Sequence, residues 1–172
     1  NPNDFGPFGE YSEGVFPSDG AVALVLKRTP DAERDGDRMY AIVRAIGTAG
    51  GDPNSLDFGS PASDSPSAGS SIEEAIRRSC DDAAVAARDL PYVTVHRSGM
   101  GERDRAEMTT LSKVFGPDTV LGCAKVHVGH TGAAAGLVSV LDATLSLYRQ
   151  VLPAAPGSRS CGLTSLCEPT PW

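Results

Sequence analysis

Three titratable side chains crowd one short stretch. In "CAKVHVGHTGAAAG", residues 123–136, Lys125, His127 and His130 sit in an apolar run, and alanines and glycines follow at once. A further histidine, His96, ends the apolar run "YVTVH". An imidazole just before a helix N-terminus meets the positive end of the helix dipole, which disfavours a second proton. The neutral ring still donates one N–H. Such a donor suits an oxygen that gains negative charge in a reaction, for example a thioester carbonyl becoming an enolate. His130 has that placement, and the small residues after it let the helix end approach backbone and ligand. His96 offers a second donor. Lys125 falls near the end of a buried-looking strand, where an ammonium is costly without a carboxylate. Glu107 and Asp104, at the start of the preceding helical pattern, are the candidate partners.

Other chemistries fit these residues less well. His127, His130 and Cys123 suggest zinc, but Zn²⁺ takes four ligands, or three and water, and the spacing here is irregular with no second cysteine pair. No G-x-G-x-x-G loop is present, and "TGAAAG" lacks the lysine of a phosphate-binding loop. A histidine at a strand end also serves commonly as a hydrogen-bonded structural group, and Lys125 could close a structural ion pair. The four cysteines, Cys80, Cys123, Cys161 and Cys167, form no C-x-x-C pair. Reduced thiols in a cytoplasmic chain are the simplest reading, although Cys161 and Cys167 are spaced to allow a bridge. A net charge of -7 argues against a nucleic-acid surface. No apolar run is long enough to span a membrane, and the opening residues have neither the basic flank nor the apolar core of a signal peptide.

The elements that must position these groups follow from pattern. Residues 1–19 are punctuated by Pro2, Gly6, Pro7, Gly9, Gly14 and Pro17 and read as turns. "AVALVLKR" (21–28) reads as a strand buried on both faces, and "YAIVRAIGTAGG" (40–51) as a second, with one short helical turn between them. A Ser/Pro/Gly loop covers 52–70. A helix then covers 70–89 with Ser70 or Ser71 as cap, and Ile72, Ala75, Ile76, Cys80 and Ala83 form its apolar stripe. "LPYVTVHRSG" is a strand, 104–116 a helix stopped by Gly116, 119–129 a strand, and 131–151 the longest helix, capped by Thr131. This alternation predicts a layered α/β domain. Ligands of such sheets bind beyond the carboxyl ends of strands, where His96 and His130 both fall.

The motifs resemble those of β-ketoacyl synthases. "GCAKVHVGHTGAAAGLVSVLDATLSLYRQVLPAAPG" is similar to the family's last catalytic motif, a lysine followed by Gly-His and an Ala-rich helix ending in Leu-Pro. "VTVHRSGMGERDRAE" resembles its His-Gly-Thr-Gly-Thr segment, and "SDGAVALVLKRTPDAERDGDRMYAIVRAIGTAGG" its Gly-Glu-Gly turn and following strand. The likeness covers residues 12–157 and is nearest to polyketide, enediyne or polyunsaturated-fatty-acid synthase types. It implies the C-terminal half of a thiolase-like fold, with residues 158–172 as a loop-rich tail. It further implies a decarboxylative Claisen condensation of an acyl thioester with a malonyl extender on acyl carrier protein, in polyketide or fatty-acid biosynthesis.

By that resemblance His96 and His130 stabilise the enolate, and Lys125 tunes the site, through Glu107 and with Asp104 in support. Ser98 and Met100 stand where the family binds the phosphopantetheine arm, the substrate carrier, with no tightly bound cofactor. Met100 and Arg97 depart from the pattern, which has threonine and glycine there. None of the four cysteines has the family nucleophile's context, so the cysteine is expected from an N-terminal half outside this chain. A homodimer or heterodimer of the same fold is implied. The alternative reading is a non-condensing ketosynthase-like scaffold or chain-length partner.

Overall fold

Two parallel strands and the helices on their two faces place the site. The computed structural model describes residues 16–50, 67–99 and 101–153. Strand β1 (Tyr92–Thr94) pairs with β2 (Val120–Gly122) in the register Tyr92↔Val120, Val93↔Leu121, Thr94↔Gly122. Parallel strands need a long crossover, and helix α3 (Gly101–Val114) supplies it.

Side chains alternate across a strand. Val93, Val95, Leu121 and Cys123 therefore share one face, where they meet Leu111, Met108 and Phe115 from α3 and its end and Ile72 and Ile76 from helix α2 (Ser67–Ala83). That cluster is the core, and each fully buried aliphatic side chain contributes roughly 1.5–3 kcal/mol. On the opposite face, the Tyr92 hydroxyl donates to Asp142 Oδ2 at 2.8 Å on helix α5 (Ala135–Arg149). A side chain at Gly122 would overlap the Tyr92 ring, so glycine there lets the ring lie across β2. Burial and the neighbouring Asp142 carboxylate push the Tyr92 phenol well above its ordinary range, so it remains a donor.

Several expectations are corrected. The strand read at 119–129 stops at Gly122, and residues 125–128 coil into helix α4 (Lys125–Val128). The reason is the partner. β1 turns away at Arg97, whose φ is 44°, so nothing continues the ladder. The backbone N–H groups of Val126 and His127 bond instead to the carbonyls of Cys123 and Ala124. α2 is already helical at Ser67, so neither Ser70 nor Ser71 is its N-cap. It ends at Ala83, before Ala84 at φ 54°, and does not run on to Asp89. Gly116 does not stop α3 by a left-handed turn. A side chain there would stand 2.6 Å from the Arg88 carbonyl oxygen, so close approach is what requires glycine. Thr131 makes no side-chain cap; its Oγ1 is buried without a hydrogen-bond partner among the described residues. A 3-10 turn, Gly132–Ala134, separates it from α5.

The two expected strands at 21–28 and 40–51 are the largest difference. Residues 21–28 and 40–50 form no ladder among the described residues. Val25 is 98% exposed and Leu26 78%. The short turn between them is a full helix, α1 (Thr29–Asp35), with Pro30 in its first turn and Gly36 as a left-handed cap. Segment 40–50 still lies against α2. A side chain at Gly47 would overlap the Ala75 carbonyl, and Arg78 Nη1 donates to the Thr48 carbonyl at 2.7 Å. Of the loop read at 52–70, residues 67–70 belong to α2; residues 52–66, Met100, Cys161, Cys167 and the tail at 158–172 lie outside the described residues.

Candidate active site

His96 follows β1 by two residues and Lys125 follows β2 by three, so both emerge at the carboxyl edge of the parallel pair. That is where open α/β sheets bind ligands. The His96 and His130 rings approach edge-on, with centroids 6.1 Å apart and planes at 87°. Lys125 Nζ lies 3.3 Å from His96 Nδ1 and 3.4 Å from Nε2, and donates to the Arg97 carbonyl at 3.2 Å. Near-equal distances to both ring nitrogens mean that the ammonium is not aligned with one lone pair.

The backbone of His130 is strapped in place. Its N–H donates to the Phe16 carbonyl at 2.7 Å, and its carbonyl accepts the Ser18 N–H at 3.0 Å. The preceding Gly129 has φ 74°, and a side chain there would meet Ser18 Cβ at 2.8 Å. Glycine is therefore required twice over, by conformation and by space. The ring is fixed too: Nδ1 accepts the Gly132 N–H at 3.0 Å. A nitrogen that accepts carries no proton, so in the neutral ring the proton sits on Nε2 and is available to an external oxygen.

Glu107 and Asp104 lie three residues apart on α3 and hold the turn that carries His96. Glu107 Oε1 accepts the His96 N–H at 2.8 Å, and Oε2 accepts the Arg97 N–H at 2.9 Å. Asp104 Oδ1 accepts from the Ser98 N–H at 2.6 Å and the Ser98 hydroxyl at 2.9 Å; Oδ2 accepts the Gly99 N–H at 3.1 Å. Arg97 Nε stands 3.6 Å from Asp104 Oδ2. The expected Lys125–Glu107 ion pair is not formed. Each Glu107 oxygen accepts a backbone N–H, and Lys125 donates instead to the Arg97 carbonyl beside the His96 ring.

The electrostatics keep the rings neutral. Burial, then Lys125, pushes His96 below its ordinary value, with Glu107 and Asp104 acting in the opposite sense. Burial and Lys125 lower His130 likewise. Burial lowers Lys125 itself against the pull of Cys123, Glu107 and Asp104. Cys123 touches the site, with Sγ 3.9 Å from the His96 carbonyl. Burial raises its thiol, the reverse of what a nucleophile needs. Among the described residues, no three His, Cys, Asp or Glu side chains converge as a metal site. His127 is exposed on α4 and makes no part of this cluster.

Sequence reasoning brought together His96, Lys125, His130, Asp104, Glu107 and Ser98. It missed the strap at residues 16–18, where no periodicity marks a turn-rich stretch as the support of a distant histidine. It also missed the Arg97 carbonyl as the acceptor for Lys125.

At the carboxyl edge of a parallel β-α-β unit, then, a lysine stands against one imidazole, and a second imidazole approaches that ring edge-on. The family model for the C-terminal domain of β-ketoacyl synthases matches residues 40–158. This chain belongs to that family, as a C-terminal ketosynthase region of the polyketide synthase type. It is 31% identical to 5-methyl-1-naphthoate synthase of Streptomyces sahachiroi, over 96% of this chain and 10% of that protein. It is 33% identical to a mycocerosic acid synthase-like polyketide synthase of Mycobacterium tuberculosis, over 96% of this chain and 8% of that protein. The chain thus spans about a tenth or less of the curated relatives it matches.

Among solved structures, an oxazolomycin ketosynthase domain from Streptomyces albus JA3453 superposes with a TM-score of 0.79 at 26% identity, over 96% of this chain and 30% of that one. The keto synthase–chain length factor PfaC superposes at 0.75 with 29% identity, over 96% of this chain and 18% of that one. The fold is therefore thiolase-like and only part of the whole, as the resemblance implies.

Proposed function

We propose that this chain carries the histidine–lysine half of a β-ketoacyl-[acyl-carrier-protein] synthase site, with residues 1–157 as the ketosynthase portion. The reaction is decarboxylative Claisen condensation, an acyl transfer in polyketide or fatty-acid biosynthesis. The malonyl thioester loses CO₂, and the electron pair of the broken C–C bond moves into the thioester as an enolate. The enolate carbon attacks an acyl-cysteine carbonyl and expels the thiolate. His130 Nε2–H and the His96 ring donate to the enolate oxygen, and Lys125 holds both rings neutral. The observation that carries this reading is the Gly132 N–H on His130 Nδ1, which leaves the donor at Nε2.

An N-terminal half supplies the cysteine and covers the exposed apolar side chains at 21–28 and 40–50, Val25, Leu26, Ile42, Val43 and Ile46. The substrate arrives on the phosphopantetheine arm of acyl carrier protein, past Ser98 and Met100, with no tightly bound cofactor. Ser98 Oγ donates to Asp104, which sets the hydroxyl on the turn that carries His96. A dimer of like folds in the cytoplasm completes the reading; among the described residues no helix is long and apolar enough to cross a membrane.

His130→Ala in the complete protein is expected to slow decarboxylation of malonyl carrier protein by about 10²–10³-fold, the cost of losing one preformed donor. Undiminished turnover would contradict the assignment. One observation favours the second reading, a non-condensing scaffold or chain-length partner: Arg97, a long cation, occupies a left-handed position where the resemblance has glycine. Intact mass after incubation with an acyl thioester separates the two, since only a condensing enzyme gains an acyl group on cysteine.

A further inference from the structure

We propose that Arg97 is a positioning residue: its guanidinium opposes the Asp104 charge behind the site, so that the Lys125 ammonium, which has no carboxylate partner among the described residues, faces His96. The inference rests on the site reading above, but its test is independent of turnover.

Arg97 touches all three charged groups behind His96. Its N–H donates to Glu107 Oε2, its carbonyl accepts Lys125 Nζ, and its Nε stands 3.6 Å from Asp104 Oδ2. The first two contacts are backbone contacts that any residue could make. The third belongs to the side chain. Both partners are withdrawn from water: the Arg97 side chain is 14% exposed and that of Asp104 7%, so the attraction is weakly screened. The position also disfavours a large residue, because φ 44° strains any side chain with a Cβ. A strained cation beside a buried carboxylate calls for an electrostatic reason.

The groups around His96 supply one. Lys125 and His130 oppose its protonation; Glu107 and Asp104 favour it. The same two carboxylates, with Cys123, favour the charged Lys125. Glu107 accepts two backbone N–H groups. Asp104 has three donors from Ser98 and Gly99, all neutral, so the guanidinium is the cation set against its charge. With that cation gone, the Asp104 charge acts fully on Lys125 and His96. Both then bind protons more readily, and His96 stays a neutral donor over a narrower pH range.

The experiment is the pH dependence of His96 carbethoxylation by diethyl pyrocarbonate in the complete protein, read on the His96 peptide by mass spectrometry. The reagent attacks only the neutral ring, so the midpoint reports the His96 pKa whether or not the enzyme turns over. Arg97→Gly is the main variant, since glycine adopts the local φ without strain and the fold is preserved. Its midpoint is expected to rise by about half a unit or more. Arg97→Lys should keep the wild-type midpoint, and adding Asp104→Asn to Arg97→Gly should return it. An unchanged midpoint in Arg97→Gly, or an equal rise in Arg97→Lys, would overturn the proposal. Loss of condensation with an unmoved midpoint would count against Arg97 alone and leave the histidine assignment standing.

Discussion

Two regions of this chain are built on opposite terms. Around His96, Lys125 and His130 the polar groups are closely matched: both Asp104 oxygens and both Glu107 oxygens have donors, and the His130 ring and backbone are each fixed. Along 21–28 and 40–50 the reverse holds. Their aliphatic side chains are largely exposed, and the backbone has no ladder among the described residues. The site can close because its supports come from the β1-α3-β2 unit and the strap at 16–18. A buried strand cannot close alone, since its hydrogen bonds and both its faces need other strands and layers. On the function proposed above, these two segments are where the N-terminal half packs.

Perturbation should separate the two regions. The largest effect is expected in the core under the site. Leu121→Ala removes a side chain only 3% exposed and should destabilise the protein by about 2–5 kcal/mol, read from denaturant midpoints. Asp104→Ala comes next. It leaves the Ser98 and Gly99 N–H groups without their acceptor, at a cost of roughly 1–3 kcal/mol, and should slow turnover by loosening the His96 turn.

Acid should act on the site in the same direction. His96 and His130 are held below their ordinary value of 6.5, so the unfolded chain binds more protons than the folded one below that pH. Stability therefore falls as pH drops below about 6.5 and levels off once the folded-state values are passed. Thermal melts in His130→Gln should show a weaker acid dependence. The smallest effect on this chain by itself is expected at Val25→Asp, within about 0.5 kcal/mol for so exposed a position. In the complete protein the same change should weaken the packing of the two halves, seen as a fall in the denaturant midpoint. A complete protein indifferent to Val25→Asp would remove the contrast between the regions.

Helix α2 was legible because an amphipathic stripe is a local property. Ile72, Ile76 and Cys80 recur at helical spacing and do pack inward. β1 was legible from Val93 and Val95 in alternation. The segment 125–128 was not. Its apolar residues suit a strand as well as a helix, and the choice fell to whether β1 continued beside it. At Arg97 it does not.

The sequence by itself determined which groups the site would have: two histidines and a lysine at strand ends, carboxylates three residues apart on the preceding helix, and glycines where the chain must pass closely. Those identities, with the motifs that carry them, also marked the family. Tertiary structure alone decided how the groups are paired. Lys125 faced several acceptors and lies against the Arg97 carbonyl and the His96 ring, while the Glu107 oxygens take backbone N–H groups of the His96 turn. His130 owed its tautomer to one N–H two residues on, and its position to a strap more than a hundred residues away in sequence. Hydrogen-bond partners are settled by competition in space among all nearby donors and acceptors, and no local pattern records the outcome of that competition.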